Sequence, residues 1–484
     1  MNRISPPKSL PTRQIAPYSA GLRTRLFACG FAACLLQGFL FAGDQAAVQS
    51  DAKQPVPLLT EALQKPAWLA ECSLSVREGY DSNVFLDGVS QRYLPDDLRS
   101  TKNLGSWVTT ISPKLGVDLA AFLPDRKTLK VFSLIYAPDI GIYHNVPSES
   151  YTAHRFITLA KATVEDVTLN LENSFSYVRG DKDAPAYPGG YLNAFAQAPP
   201  RERSDQFQDH MNFSLQYDQE RYFLRPVVSF LYYDMKTNLK NPDLATTPSG
   251  YINFPDRYDI NGGMDFGYKL TSDFAVTLGY RYGHQYQQQF SWSPDSATND
   301  YQRLLIGMEG RPFKWLQIQF QLGPDFRIYE PDTATHISPV GDHHPTVFYG
   351  EANVAASITR NDLVSFKFKQ FQWVSACGYV PYVDTFYDLG YSRKITDQLS
   401  LNLGARLGEA DYTTAYTAPG KRDDWMVTLS GGLRYTFNAH WSADLSYEYD
   451  RGLNGYGELA ESQVPDNKRQ FVRNLVSAGV QWKY

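Results

Sequence analysis

From Leu316 to Leu322 the chain reads Leu-Gln-Ile-Gln-Phe-Gln-Leu, an unbroken alternation of apolar and polar residues, and segments of this kind recur from about Leu69 to the last residue, Tyr484. Side chains of an extended strand point alternately to opposite faces, so each such segment has one greasy face and one wet face. The pattern yields apolar sets such as Trp107, Ile111, Leu115, Val117 and Leu119; Val167, Leu169, Leu171, Phe175 and Tyr177; Tyr258, Ile260, Met264, Phe266, Tyr268 and Leu270; and Phe274, Val276, Leu278, Tyr280 and Tyr282. The intervening residues are mostly polar or glycine. Something apolar must cover the greasy faces.

Mean hydropathy is -0.39, too low for a bundle of membrane helices. A barrel strand shows only alternate residues to lipid, so modest hydropathy is compatible with a membrane crossed by strands. The connections sort into two kinds. Tight ones fall at 123–128, 163–166, 218–221, 271–273, 312–314, 359–362, 396–398 and 438–440, all built from turn-forming residues. Between them lie wider segments rich in Pro, Gly, Asn and Asp, notably 180–204, 236–256, 330–346 and 451–470. This strict alternation separates two sides of a membrane. It predicts an all-β fold: a transmembrane antiparallel up-and-down β-barrel of about 18 strands, with short periplasmic turns and long extracellular loops.

A string of soluble sandwiches would also alternate. Expected strands of some 10 to 14 residues exceed the usual soluble length of about 5 to 6. Aromatics gather near strand ends, as in Tyr280-Arg281-Tyr282, Tyr232-Tyr233 and Tyr447-Glu448-Tyr449, and no linker divides the chain. All three features suit a barrel with aromatic girdles at both interfaces.

The first 43 residues are different in kind. Arg3, Lys8, Arg13, Arg23 and Arg25 precede an apolar run over 26–41 that ends at Ala42 and Gly43, the plan of a secretory signal peptide. The expected organisation is a signal peptide over 1–43, a periplasmic N-terminal segment over 44–69 and an outer-membrane barrel over 70–484. Cys29 and Cys34 would leave with the signal. Cys72 and Cys377 map near opposite rims, too far apart for a disulfide, so both are expected as free thiols.

The chain ends Val476-Ser477-Ala478-Gly479-Val480-Gln481-Trp482-Lys483-Tyr484, with its apolar residues on one face. This resembles the terminal strand signal of bacterial outer-membrane barrels, which the assembly machinery reads; phenylalanine is the commoner last residue there. Near the start, Glu78-Gly79-Tyr80-Asp81-Ser82-Asn83-Val84-Phe85 is similar to the opening motif of the beta-barrel porin 2 family. That resemblance implies an outer-membrane channel, in a family some of whose members are associated with exopolysaccharide production.

If the aliphatic faces meet lipid, the opposite faces put Arg77, Lys114, Arg225, Lys269, Arg281, Arg303, Arg327, Lys367, Lys369, Arg406, Arg434 and Arg473 in the lumen, together with Asp81, Asn83, Asp118, Glu172, Asp265, Glu309, Asp325, Glu351, Asp384, Asp388, Asp444 and Glu448. An arginine or lysine facing lipid at mid-membrane would cost about 2–4 kcal/mol, which constrains the phase of every strand. A passage lined by both signs suits diffusion of small hydrophilic solutes with weak charge preference. Alternation does not locate a constriction, for which the longest loop, 180–204, is the candidate. Two alternatives remain: an exopolysaccharide export channel, and a non-conducting barrel that binds or adheres through its loops.

The partners expected are outer-membrane lipid, the barrel-assembly machinery, and solutes or polysaccharide, with homotrimer formation left open. The net charge of -5 comes with no basic stripe, against nucleic-acid binding. No cofactor, metal or catalytic role is expected. Asp342-His343-His344 would be the only candidate for a barrel enzyme, and a solvated loop is the simpler account.

Overall fold

The computed structural model describes residues 65–84, 105–123, 128–179, 205–236, 256–289, 296–330, 344–374, 381–412, 422–456 and 471–484. They form one sheet of 19 strands: β1 (Leu69–Asp81), β2 (Ser106–Asp118), β3 (Leu129–Tyr136), β4 (Asp139–Tyr143), β5 (Tyr151–Val164), β6 (Val167–Arg179), β7 (Asp205–Asp218), β8 (Tyr222–Lys236), β9 (Arg257–Thr271), β10 (Phe274–Gln287), β11 (Asn299–Phe313), β12 (Leu316–Tyr329), β13 (Thr346–Ser357), β14 (Asp362–Val374), β15 (Pro381–Lys394), β16 (Leu399–Tyr412), β17 (Arg422–Thr436), β18 (Trp441–Tyr456) and β19 (Phe471–Lys483). Consecutive strands pair antiparallel, except β3 with β4. The first and last strands also pair, from Ser73 opposite Lys483 to Asp81 opposite Leu475, which closes the cylinder.

Nineteen strands fill eighteen wall positions because β3 and β4 share one. Both pair with β2 on one side and β5 on the other. The break falls at Ala137 and Pro138. Proline has no N–H to give to a ladder, and the alternation had not separated these two pieces.

Seven of the eight tight connections predicted from the sequence are observed, each leaving two to four residues between paired strands; at the remaining one, 123–128, a 3-10 turn over Leu119–Phe122 precedes it and 124–127 lie outside the described residues. Glu165, between β5 and β6, takes a left-handed φ of 50°. Gly310 takes φ of 117°, and a Cβ there would meet the Asp273 carbonyl oxygen at 2.0 Å, so this shift in the β11 ladder requires glycine. The ends of the wall meet at the rim of the tight turns, where the Tyr484 N–H donates to the Cys72 carbonyl at 2.9 Å. Cys72 is a free thiol; Cys377 lies outside the described residues.

One face of the wall is a continuous apolar exterior: Leu278, Ile306, Leu389 and Leu445 are each more than half exposed. Aromatics bound it at both rims, with Trp315, Phe437 and Trp441 by the turns and Tyr80, Trp107, Tyr282 and Tyr447 by the loops. Tyr232 keeps to this outer surface, while Tyr233 turns inward against Trp373. No helix among the described residues is long and apolar enough to cross a membrane. A closed antiparallel cylinder with an apolar belt between aromatic girdles is the architecture of the bacterial outer membrane, where this protein resides.

Candidate functional site

The inward residues of β12 change character along the strand. Gln317 and Gln319, near the turns, are exposed; Gln321 is half-buried; Gly323, Asp325, Arg327 and Tyr329, toward the loops, are buried. The neighbouring strands repeat the gradient, from Lys269 to Asp259 and Arg257 on β9, and from Glu309 to Arg303, Tyr301 and Asn299 on β11. The lumen is therefore a vestibule open toward the turns that tightens in its loop half.

The outer end of β14 causes the tightening. Its ladder with β13 runs only from Ser357 opposite Leu363 to Gly350 opposite Gln370. Beyond that point β13 continues along β12 up to Thr346, while β14 follows β15 as far as Val374 opposite Pro381. Having parted from β13, the β14 main chain is held by side chains of other strands. Gln285 Nε2 donates to the Gln372 carbonyl at 3.0 Å, Arg327 Nη2 to the same oxygen at 3.4 Å, and Arg257 Nη1 to the Val374 carbonyl at 2.7 Å. Gln372 also donates to the Tyr329 hydroxyl. Trp373 and Val374 pack on Ala297 and Tyr329, with Leu231, Tyr233, Phe371 and Tyr382 around them.

Charged side chains form alternating ladders beneath and beside this plug. In the β8–β11 sector Arg225 contacts Glu309 at 2.7 Å and Asp265 at 3.1 Å, and Arg281 contacts Asp265 at 2.7 Å. One strand on, Asp325 lies between Arg303 at 2.9 Å and Arg327 at 2.6 Å. The two guanidiniums lie 4.1 and 4.3 Å from the Tyr301 ring centroid, and the Tyr301 hydroxyl donates to Asp259 at 2.8 Å. Each charge thus gains several partners, which offsets its removal from water.

At the β1/β19 seam Arg473 reaches Asp81 at 3.2 Å, Asp450 at 2.8 Å and Glu448 at 3.5 Å. Asn83 Nδ2 donates to the Val472 carbonyl at 3.0 Å, so the opening motif ties the two ends of the wall together at the loop rim. Glu78, in the same motif, faces outward and accepts from Thr109 Oγ1 at 2.5 Å. The remaining sequence-selected residues are dispersed. Arg77 pairs with Asp444 at 2.6 Å, Lys114 with Glu71 at 2.8 Å, Lys269 with Asp218 at 2.8 Å, Arg406 with Asp388 at 2.5 Å and Lys369 with Glu351 at 3.7 Å. Lys367 stands opposite Asp388 in register. Arg434 donates to Ser442 at 3.0 Å and to Gln481. Asp118 accepts from the Ala120 N–H at 3.1 Å at the first turn, and Glu172 is exposed within the wall.

Sequence reasoning passed over Arg257, Asp259, Tyr301 and Trp373, the residues nearest the plug. Arg257 and Asp259 share the phase of Asp265, a signal that was present. For Trp373 there was none, since alternation cannot say that a strand end leaves its neighbour. The loop over 180–204 lies outside the described residues, as do Asp342 and His343; His344 is exposed.

No protein-family model and no curated protein sequence matches the chain. Among solved structures it is similar to the siderophore receptor PirA from Acinetobacter baumannii, at 8% identity over 85% of this chain and 80% of that one, with a TM-score of 0.41. It is similar to OpdK of Pseudomonas aeruginosa with vanillate, at 11% identity over 86% and 98%, with a TM-score of 0.39. It is also similar to OccAB2 of Acinetobacter baumannii, at 12% identity over 86% and 98%, with a TM-score of 0.38.

Proposed function

We propose that this barrel is a porin-like channel through which small hydrophilic solutes diffuse across the outer membrane, and that its selectivity is set in the loop half by the inturned end of β14. The carrying observation is the exposure gradient along β12, from open Gln317 and Gln319 to buried Asp325 and Arg327. An eighteen-position wall is of the size at which a side-chain lining leaves an aqueous opening. In this reading Arg77, Lys114, Asp118, Glu172, Arg225, Lys269, Arg281, Asp384, Asp388, Arg406, Arg434, Asp444, Glu448 and Arg473 line the route, while Asp81, Asp265, Asp325 and Arg327, on the same inward face, are covered by other side chains and hold them in place. The interleaved signs favour weak overall charge preference over the continuous electropositive wall that export of an acidic polysaccharide would want. The N-terminal 43 residues serve as the export signal, and the terminal strand as the segment read during assembly.

A second reading, a blocked barrel that works through its loops, draws on the complete burial of Asp325 and Arg327. Purified full-length protein in planar bilayers separates the two. Stable ion conductance with weak cation/anion preference is expected. Silence from folded, inserted protein would remove the channel reading and leave the loop-binding one.

A further inference from the structure

The underside of the β14 plug carries charged groups that the ladders do not satisfy. Arg257 is 4% exposed and gives one Nη to Val374, yet its Nε–H has no partner. The guanidinium lies between two rings, 4.9 Å from the Tyr233 centroid and 5.2 Å from that of Trp373. On the other flank of Tyr233, 5.6 Å away, is the His210 ring, whose buried Nε2 also lacks a partner. Facing these from β13–β15 are Lys369, Glu351 and Asp384, all partly exposed. Lys369 touches Glu351 only at 3.7 Å, and Glu351 also accepts from the Tyr349 hydroxyl at 3.0 Å. Asp384 closes no ion pair among the described residues and stands opposite Phe371 in register, two residues along the ladder from Lys369.

Buried donors and acceptors without partners cost stability. Here both signs are left over on one rim beside aromatic surface from Tyr233, Phe371 and Trp373. An anion alone would leave Asp384 unmatched, and a cation alone would leave Lys369 with no more than its 3.7 Å contact to Glu351. We propose that this rim is a binding site for a zwitterionic solute with an apolar side chain, that is, an α-amino acid. Its carboxylate meets Lys369, with the buried Arg257 charge behind the rings, its ammonium meets Asp384 and Glu351, and its side chain rests on the exposed parts of the rings. The site rests on the reading of the lumen as a solute route.

The test is calorimetric titration of the full-length barrel in detergent with L-phenylalanine, with hydrocinnamate, which keeps only the carboxylate, and with phenylalaninamide, which keeps only the ammonium. Phenylalanine is expected to bind at least about tenfold more tightly than either analogue, the scale of one charge-assisted hydrogen bond. Asp384→Asn is expected to reduce phenylalanine to the affinity of hydrocinnamate, and Lys369→Gln to weaken hydrocinnamate while sparing phenylalaninamide. Heat-modifiable migration on gels confirms that each variant is folded. Equal binding of hydrocinnamate and phenylalanine, or no binding to a conducting barrel, would overturn the site and leave the channel. Selective binding to a barrel that does not conduct would do the reverse.

Discussion

Arg327 shows what a single residue pays to live inside this wall. Its side chain has no exposure, so its charge is held by Asp325 at 2.6 Å, Asn299 at 2.8 Å and the face of Tyr301. Outside the cylinder no such partners exist, and the same side chain would face hydrocarbon. Leu278, 60% exposed between Phe266 and Ile306 in register, is the place to measure the difference. Leu278→Arg is expected to destabilise the barrel by about 2–4 kcal/mol, falling if the site lies nearer an interface. Gln319→Arg, on the inward face of β12, is expected to change stability by no more than about 0.5 kcal/mol. Urea unfolding midpoints in lipid vesicles check both, and a reversed order would invert the inside and outside of the wall.

At the scale of the element, β14 departs from regularity where the lumen narrows. Its end is held by hydrogen bonds from Arg257, Gln285 and Arg327 to its main chain and by the packing of Trp373. Trp373→Ala removes the largest side chain of the plug, and single-channel conductance is expected to rise roughly twofold as the opening widens. Unchanged conductance would place the narrowing elsewhere. The strands and turns were legible in the sequence because their causes are local: period-two alternation, and clusters such as Thr396-Asp397-Gln398 that cannot continue a ladder. The inward phase of Asp265, Asp325 and Arg327 followed from the same alternation. The plug was not legible, because it joins Arg257 to Val374 and Gln285 to Gln372 across stretches of chain that no local rule relates. The break at Pro138 had a local signal, but alternation continues on both sides of it and masks the interruption.

For the whole molecule, closure depends on residues from the two extremes of the described chain. β19 pairs with β18 on one side and β1 on the other, and its last residues pair Trp482 with both Trp441 and Leu74. Contacts this distant in sequence form late and slowly. Removing 481–484 strips the rim of that seam and is expected to lower the folded, heat-modifiable fraction at least about tenfold in refolding into vesicles, given the long loop that must close without it. Retention of full folding yield would show that the seam is sealed higher up, at Asp81 and Arg473. The bond between Tyr484 and Cys72 also means that the cylinder has no privileged beginning. A short bridge could splice those ends, and the polypeptide could be opened instead at 396–398, giving a circularly permuted gene that encodes the same staves in a different order.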